Sequence, residues 1–410
     1  MTKSLAAVPA ALFAAGLVLL ASGLLTPASA VELAARTVPI LVFVVAMTIV
    51  TGLADSAGLF TVVTARLAGA RRASRPGTTP AGRVWLLWLL VVALATVSTV
   101  FLSLDTTAVL VTPVVVSLAR HARIPPLPFA LTTVWLANTA SLLLPVSNLT
   151  NLLAQHLLGV SPWSFAQLLW APAVVGVAVP AVFLWLVFRA ELRGRFPRPA
   201  VPEVKDKRLL TLSAVTVAVL LPLLVSGLPV WIPASVAAVF LLAVFLLRHG
   251  TSLVWGTAKG AAWAKGWRML PVQPLLLAMG LFLIIQTLHD HGLGTVLARA
   301  SGNGEDFTAL LQLAGLGALS ANAVNNLPAY LALEPAAGSP LRVAALLIGV
   351  NLGPLVSPWA SLATLLWHSR MRAMGINISW RGYMLAGLAV VVVLLPLSVL
   401  ALWLSAGMPG

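Results

Sequence analysis

Long apolar runs follow one another along almost the whole chain. They lie at about residues 5–25, 36–56, 84–101, 104–119, 127–157, 163–188, 209–226, 229–247, 269–289, 307–320, 321–334, 341–369 and 382–405. Most are close to the ~20 residues that a helix needs to cross the ~30 Å hydrocarbon core of a bilayer. Their apolar residues are continuous rather than alternating, which favours helices over an outer-membrane barrel. The pattern predicts an all-α polytopic membrane protein with about 11 to 13 membrane segments.

Two of these runs are too long for one plain crossing and are interrupted by proline. Pro145 interrupts the run 127–157, and Pro354 with Pro358 interrupts the run 341–369. Because proline removes a helical hydrogen bond and clashes with the preceding turn, each run is predicted to be a broken helix. The short runs 104–119 and 321–334 are candidates for re-entrant hairpins, with full crossings as the alternative.

The two broken runs carry the same spacing of polar and proline residues. The matching residues are Asn138, Pro145 and Leu149 in the first copy, and Asn351, Pro358 and Leu362 in the second. A weaker echo relates the segments 51–60 and 286–294. Successive crossings place the two copies in opposite directions, and inverted repeats with discontinuous helices are typical of secondary transporters. We expect a first repeat at 1–190, a linker with a linking helix at 191–228, and a second, inverted repeat at 229–410.

Composition agrees with this class and assigns an orientation. Of the 410 residues, 60% are hydrophobic and 9% are charged, whereas soluble domains carry about 25% charged residues. With the N-terminus inside, all of the 25 Lys and Arg residues except Arg36, Arg299 and Arg342 fall in cytoplasmic loops. The net charge of +15 therefore reflects the positive-inside rule rather than a nucleic-acid partner. We predict a multi-pass inner (plasma) membrane protein with a cytoplasmic N-terminus.

Four further features of the sequence have simple interpretations. The run after Lys3 is longer than the core of a signal peptide, so an uncleaved first helix is expected despite Ala28-Ser29-Ala30. The tryptophan-containing stretch 250–268 suggests a helix lying on the cytoplasmic surface. The chain has no cysteine, which excludes disulfides and thiolate sites. His289-Asp290-His291 has no further ligands near it in sequence, so neither a metal nor a cofactor is predicted.

The polar residues at the breaks are the candidate substrate site. Breaking a helix frees backbone groups, which are tolerated in a membrane only where they line a polar cavity or are buried in protein. Ser147 is expected to cap the second half-helix of the first break, and Ser357 with Pro358 to begin that of the second. The substrate-binding candidates are Asn138, Thr139, Ser141, Ser147, Asn148, Asn151, Asn325, Asn326, Asn351, Ser357, Ser361 and Thr364.

Two carboxylates are candidates for proton coupling. Asp105 stands between apolar runs, and an ionisable side chain inside the membrane is a functional hypothesis by default. The alternative is that Asp105 caps a helix near the outer surface. Asp55 is a similar candidate nearer the cytoplasmic end of its run.

The motifs around the breaks resemble those of the arsenite permease family of the ion-transporter superfamily. The resemblance lies in LANTASLLLPVSNLTNLL at 136–153 and LIGVNLGPLVSPWASLATLLW at 347–367, supported by the segments 105–113 and 325–328. It implies a transporter, not an enzyme, that exports arsenite and antimonite in exchange for protons, sometimes with a soluble ATPase partner. It also implies a scaffold and transport cores formed by two inverted repeats, and leaves the oligomeric state open.

Other functions remain open on the sequence alone. A sodium- or proton-coupled transporter of a carboxylate or other anion would keep the same fold, as would a sodium/proton antiporter. A carboxylate site would require a nearby Arg or Lys or paired polar half-helix tips, and the second break lacks the Ser-Asn-Thr pattern. An aspartyl protease built on Asp55 and Asp105 would leave the repeated breaks unexplained. A passive channel is a further alternative, and it would not transport arsenite against a gradient.

Overall fold

The computed structural model describes residues 2–69, 82–197, 204, 206–249 and 272–409, and these are almost entirely helical. The helices are α1 (Thr2–Ala21), α2 (Pro27–Ser56), α3 (Leu59–Leu67), α4 (Val84–Leu102), α5 (Leu104–Thr106), α6 (Thr112–His121), α7 (Leu127–Thr139), α8 (Leu149–Leu158), α9 (Pro162–Val187), α10 (Lys207–Leu224), α11 (Trp231–His249), α12 (Val272–Asp290), α13 (Leu293–Ala300), α14 (Phe307–Val324), α15 (Asn326–Ala337), α16 (Pro340–Leu352), α17 (Leu362–Ala373) and α18 (Trp380–Ser405). A two-residue strand β1 (Gly82–Arg83) pairs antiparallel with β2 (Arg195–Phe196).

The surface of the helices is that of a membrane protein. Among the described residues, seven helices are long and apolar enough to cross a membrane, namely α2, α4, α9, α10, α11, α14 and α18. Large apolar side chains point outward from them: Trp163 is 69% exposed, Val236 65% and Leu385 70%. Such a surface is unfavourable in water but matches lipid. The prediction of an all-α polytopic membrane protein is confirmed.

Polar residues set the starts of several helices. The Ser161 hydroxyl accepts a hydrogen bond from the Ser164 amide at 3.0 Å and precedes a proline at the first helical position of α9. Asp206 caps α10 through the Leu209 amide at 2.9 Å and also accepts from Arg248 at 2.8 Å on α11. The Leu209 hydrogen bond and Arg248 hold the pKa of Asp206 below its ordinary value. The linking helix is thereby joined to the helix that follows it.

The order of elements occurs twice along the chain. The series α1, α2, α3, α4, α5 with α6, α7, α8 and α9 is matched by α11, α12, α13, α14, α15, α16, α17 and α18. α9 and α18 each have 26 residues. Gly58 and Gly292 have positive φ before the matching short helices α3 and α13. Ser103 and Asn325, with φ of 98° and 120°, separate the two arms of the matching hairpins.

The two series pack against each other reciprocally. α1 packs on α12, while α2 packs on α11, so each outer pair contains one helix from each series. α9 and α18, which occupy the same place in the two series, pack directly on each other. α4 packs on α7, and α14 packs in the same way on α16. This exchange of matching partners is what two related halves facing each other produce.

The structure refines the predicted segments in three places. The run 127–157 is divided into α7 and α8, and 341–369 into α16 and α17, so both predicted breaks are confirmed. The boundary predicted between 320 and 321 is wrong, because the helix continues to Val324 and turns at Asn325. In the first hairpin the turn is at Ser103, and a π-helical segment at 107–111 precedes α6. The predicted surface helix 250–268 lies outside the described residues.

Candidate functional site

The first break lies between α7 and α8. α7 ends at Thr139, two short 3₁₀ turns follow, and α8 begins at Leu149. The residue before Pro145 is extended, with φ −119° and ψ 150° at Leu144, as the proline ring requires. Asn148 caps α8, its side-chain oxygen accepting from the Thr150 amide at 3.3 Å. The expected cap at Ser147 is therefore wrong by one residue, because Asn148 rather than Ser147 is the last extended residue before the helix.

The second break lies between α16 and α17. α16 ends at Leu352 and α17 begins at Leu362, so 353–361 have no regular structure beyond turns. The expectation that Ser357 and Pro358 begin the second half-helix is wrong, because the chain remains in turns as far as Ser361. Ser361 is the N-cap residue, yet its hydroxyl makes no capping hydrogen bond. The two breaks thus share their place in the fold while differing in how their second half-helices begin.

Side chains satisfy the backbone groups that each break releases. In the first break the Asn151 amide donates to the carbonyl oxygens of Ser141 at 2.6 Å and Leu144 at 3.0 Å. The Ser147 hydroxyl also donates to the Ser141 carbonyl oxygen, and the Ser141 hydroxyl donates to the Asn138 carbonyl oxygen at 2.6 Å. The loop is therefore held by its own polar residues, as burial of backbone groups away from water requires.

Asn322 does the same for the second break. Its side-chain amide donates to the Gly353 carbonyl oxygen at 2.8 Å, and its side-chain oxygen accepts from the Ser357 amide at 2.8 Å. The Ser357 hydroxyl donates to the Asn322 carbonyl oxygen at 2.7 Å. Asn322 was not among the predicted site residues, although it lies in the same polar run as two residues that were. Its position one turn before the hairpin turn is the signal that points to it.

The two breaks meet at Asn351. Its side-chain oxygen accepts from Asn148 at 3.0 Å and from the Thr150 hydroxyl at 2.8 Å, and its amide donates to Asn151 at 2.7 Å. Asn351 is 1% exposed. One side chain of the second half therefore bonds three side chains of the first, and Thr150 joins the predicted set.

The broken helices run antiparallel. The Asn138 amide donates to the Thr364 hydroxyl at 3.3 Å, and the Trp367 indole donates to the Ala130 carbonyl oxygen at 3.0 Å. Moving forward along α17 therefore corresponds to moving backward along α7. Beyond these helices, Arg120 donates to the Met374 carbonyl oxygen at 2.7 Å. α7 lies beside α17, and α8 beside the end of α16, as in two crossings of opposite direction.

The second hairpin also reaches the site. The Asn325 amide donates to the Trp359 carbonyl oxygen at 2.9 Å, and the Asn326 backbone amide donates to the Ala360 carbonyl oxygen at 2.9 Å. The side-chain oxygen of Asn326 accepts from the next backbone amide at 2.9 Å and is 7% exposed as a residue. Both asparagines therefore hold the second break in place through its backbone.

The candidate carboxylates occupy different positions. Asp105 lies on α5, directly after the hairpin turn at Ser103, and α5 packs against both α7 and α17. Within the described ranges its carboxylate has no hydrogen bond or ion pair to another side chain. Asp55 lies in the last turn of α2 and is half-buried. Asp105, rather than Asp55, is thus carried by an element that touches half-helices of both breaks.

Two buried hydroxyls at the breaks have no hydrogen-bond partner in the described part of the chain. They are those of Thr139, at the end of α7, and Ser361, at the start of α17, and both residues are fully buried. Buried polar groups are usually hydrogen-bonded, and each exception requires an explanation. A bound molecule that carries hydroxyl groups would supply the missing partners.

The site combines amides and hydroxyls without a fixed charge among the groups that join the two breaks. Asn138, Asn148, Thr150, Asn151, Asn351 and Thr364 are all neutral at every ordinary pH. Such groups both donate and accept hydrogen bonds, so they suit a small polar cargo with several hydroxyl groups.

Comparisons with known proteins agree with this architecture. The arsenical pump membrane proteins of Escherichia coli (strain K12) and Yersinia enterocolitica are each 28% identical to the chain, covering 79% of it and 78% of their own length. The solved structure of the Alcanivorax borkumensis YdaH transporter, described as having an unusual topology, matches with a TM-score of 0.59 over 92% of this chain and 88% of that one. At 17% identity, that likeness concerns the fold alone.

The relatives confirm the resemblance to the arsenite permease family that the motifs at the breaks indicate. The chain is also matched by a family model described as "Citrate transporter" (CitMHS) over residues 1–346. Since that match spans most of the sequence, the chain belongs to the citrate transporter family of membrane transport proteins.

Proposed function

We propose that this chain is a secondary transporter that exports arsenite and antimonite across the inner membrane in exchange for protons. The observation that carries the proposal is the uncharged, buried cluster in which Asn351 joins Asn148, Thr150 and Asn151 across the two breaks. The names of the arsenical pump relatives point to the same cargo.

The chemistry of the cargo fits such a site. Arsenite at neutral pH is an uncharged trihydroxide, so its recognition requires hydrogen bonds rather than a counter-ion. In this proposal the unpartnered hydroxyls of Thr139 and Ser361 bind it, while the amides around Asn351 exchange bonds with it. Since an unsatisfied buried group costs about 1–3 kcal/mol, binding that supplies a partner relieves a penalty.

Proton coupling is assigned to Asp105, with Asp55 as the further candidate. α5 contacts α7 and α17, so gain or loss of a charge at Asp105 acts on both half-helices that Asn138 and Thr364 connect. We propose that a proton entering from outside neutralises Asp105 and favours cargo release there. A carboxylate inside a membrane is costly when charged, which makes its protonation an effective switch.

The arrangement supports two inverted repeats, at 1–190 and 229–410, joined by the linker 191–228. The reciprocal packing of α1 on α12 and of α2 on α11 supports this division. The N-terminus is then cytoplasmic, as the charge distribution favours. A soluble ATPase remains a candidate partner on the cytoplasmic face, where the basic loops lie.

The second candidate function is sodium- or proton-coupled transport of a carboxylate or other anion, a cargo class that the description of the matched family model names. A polycarboxylate requires cationic partners in a buried site. The hydrogen bonds between the two breaks, within the described residues, involve no Lys or Arg, which argues for the neutral cargo. A sodium/proton antiporter would use the same carboxylates without the amide cluster.

Uptake into everted membrane vesicles tests the proposed function. With an inward-acidic gradient, wild-type vesicles are expected to accumulate arsenite but not citrate. Asp105→Asn is expected to abolish the dependence on the pH gradient, because the proton-binding carboxylate is removed. Asp306→Asn is the matched control, since Asp306 only caps α14 through two backbone amides.

Uptake of citrate without uptake of arsenite would show that the cargo is a carboxylate rather than arsenite. Proton-driven uptake that is unchanged in Asp105→Asn would remove Asp105 from coupling.

A further inference from the structure

A cavity separate from the breaks lies among α2, α8, α12, α13 and α15. Its volume is about 270 Å³, room for several molecules of water, each of which requires roughly 10–15 Å³ of such space. Much of the lining is apolar, including Leu33, Leu153, Phe282 and Ile285. The polar lining residues are Arg36, Gln286, His289 and Glu334.

The cavity lies on the outer side of the candidate site. Leu153, which lines it, is two residues beyond Asn151 on α8, and Asn151 bonds Asn351 at the breaks. α8 runs from the break toward the turn at Gly159, which the charge distribution assigns to the outside. A molecule leaving the breaks outward along α8 would therefore enter this cavity next.

An ion pair spans the cavity. Arg36 on α2 donates to the carboxylate of Glu334 on α15, and the Tyr330 hydroxyl donates to the same carboxylate oxygen at 2.9 Å. The Glu334 side chain is 6% exposed and that of Arg36 26%. α2 and α15 both pack on α8 and α12, so the pair joins two walls of the cavity directly. Removing one partner of a buried pair is strongly destabilising, so the contact holds these two helices together.

One hydrogen-bond donor of the ion pair has no acceptor. The Nε–H of Arg36 is buried and has no hydrogen-bond partner in the described part of the chain. His289, by contrast, contacts the Ala332 carbonyl oxygen at 3.1 Å, and the Gln286 amide donates to Asp290 at 3.0 Å. Among these polar lining groups, the Nε–H of Arg36 is a buried donor that no residue of the described chain satisfies.

We propose that this cavity is an outer vestibule on the cargo's route, closed in this conformation by the Arg36–Glu334 ion pair. The vestibule takes small, neutral, hydroxylated molecules, for which Arg36 supplies a donor and Glu334 an acceptor. Opening requires the pair to separate, so that α2 and α15 move apart. This inference rests on the proposed export function, which supplies the direction of travel.

A single cysteine in this cysteine-free chain measures whether the pair closes the cavity. Thr37 lines the cavity, is 5% exposed and bonds only its own helix, so Thr37→Cys is a conservative probe. In intact cells it is expected to react slowly with a membrane-impermeant methanethiosulfonate. Adding Glu334→Gln is expected to raise the rate at least about fivefold, because the pair is lost. Tyr330→Phe, which removes only the hydroxyl bound to Glu334, is expected to raise it less and serves if Glu334→Gln does not accumulate.

Two controls separate gating from general loosening. Glu305→Gln removes another carboxylate, one bonded to the Ser339 hydroxyl and not part of the cavity lining, and is expected to leave the rate at Thr37→Cys unchanged. Ser22→Cys, in the exposed turn after α1, is expected to react quickly in every background. Equal rates at Thr37→Cys with and without the pair, or reaction only from the cytoplasmic face, would overturn the vestibule.

Export is measured on the same proteins. Reaction of Thr37→Cys with the reagent is expected to block arsenite export, whereas reaction of Ser22→Cys is not. If unreacted Thr37→Cys exports no arsenite although wild type does, the reaction rates alone decide whether the ion pair closes the cavity. If wild type exports none, the proposed cargo fails while the reaction rates still report on the gate. If reacted Thr37→Cys exports at the unreacted rate, the cavity is not on the route.

Discussion

At the scale of single residues, the site contains two kinds of polar side chain. Asn351 and its three partners satisfy one another, and Asn151 also holds the backbone of the first break. The hydroxyls of Thr139 and Ser361 are buried without partners in the described residues. The first kind joins the two breaks, and in our proposal the second kind binds the cargo.

This division predicts different effects for two serines. Ser361→Ala is expected to raise the KM for arsenite several-fold without lowering the melting temperature, because the hydroxyl makes no bond within the described protein. Ser398→Ala is the matched control: its hydroxyl is equally buried and unpartnered, but lies on α18 away from the breaks. Initial uptake rates over a range of arsenite concentrations measure the effect. A KM for Ser361→Ala equal to that of Ser398→Ala would show that Ser361 does not touch the cargo.

Most of the polar residues that meet at the breaks were predictable as candidates, whereas their contacts were not. The amides stand out in the sequence because they interrupt apolar runs. Ser147 and Asn148 are both good capping residues, and only the backbone angles show that Asn148 holds the position. The role of Asn322 depends on which loop lies beside it, and the spacing of polar residues does not contain that information.

At the scale of elements, the long helices α9 and α18 support the breaks in the same way. A Cβ at Gly176 on α9 would lie 2.7 Å from the Thr139 carbonyl oxygen. A Cβ at Gly387 on α18 would lie 1.9 Å from the Leu355 carbonyl oxygen. Each helix thus presents a glycine to the backbone of one break, which lets helix and loop approach more closely than any side chain permits.

Gly387→Ala is expected to lower stability by about 1–3 kcal/mol and to reduce transport, because the added methyl group displaces the backbone at the second break. Gly315→Ala is the matched control, since nothing lies within 4 Å of its added Cβ. There the better helix propensity of alanine is expected to raise stability, by up to about 1 kcal/mol. Thermal unfolding in detergent and vesicle uptake report the two effects. Equal stability of the two variants would contradict the close contact.

The positions of the hairpin turns could not be predicted from the sequence. The short apolar runs indicated hairpins, but non-glycine residues with positive φ mark their turns, at Ser103 and Asn325. That conformation is uncommon for serine and asparagine and persists only where the surroundings enforce it. Asn325 is held by its bond to the Trp359 carbonyl oxygen, 34 residues away, which no local pattern reveals.

At the scale of the whole molecule, the charge distribution predicts the orientation, and the packing indicates two related halves. Arg120, at the end of α6, donates to the Met374 carbonyl oxygen from the other half. The reciprocal packing of the outer helices could not be read from sequence, because the weak internal repeat does not say which helices touch.

The orientation predicts which sites an impermeant thiol reagent reaches. Ser22→Cys is expected to react in intact cells, and Asn377→Cys, between α17 and α18, only in everted vesicles. Both positions are exposed, so the predicted difference in reactivity comes from the side of the membrane alone. The reverse pattern would invert the topology and with it the direction of the proposed export.

Binding of labelled arsenite to the purified protein tests the central claim most directly. The account predicts that wild type and Ser398→Ala bind arsenite alike. It predicts that Asn351→Ala binds at least about tenfold more weakly, a loss of ~1.4 kcal/mol, because the side chain that joins the two breaks is gone. Asn351→Ala that unfolds cooperatively in detergent and still binds arsenite as tightly as wild type would contradict it.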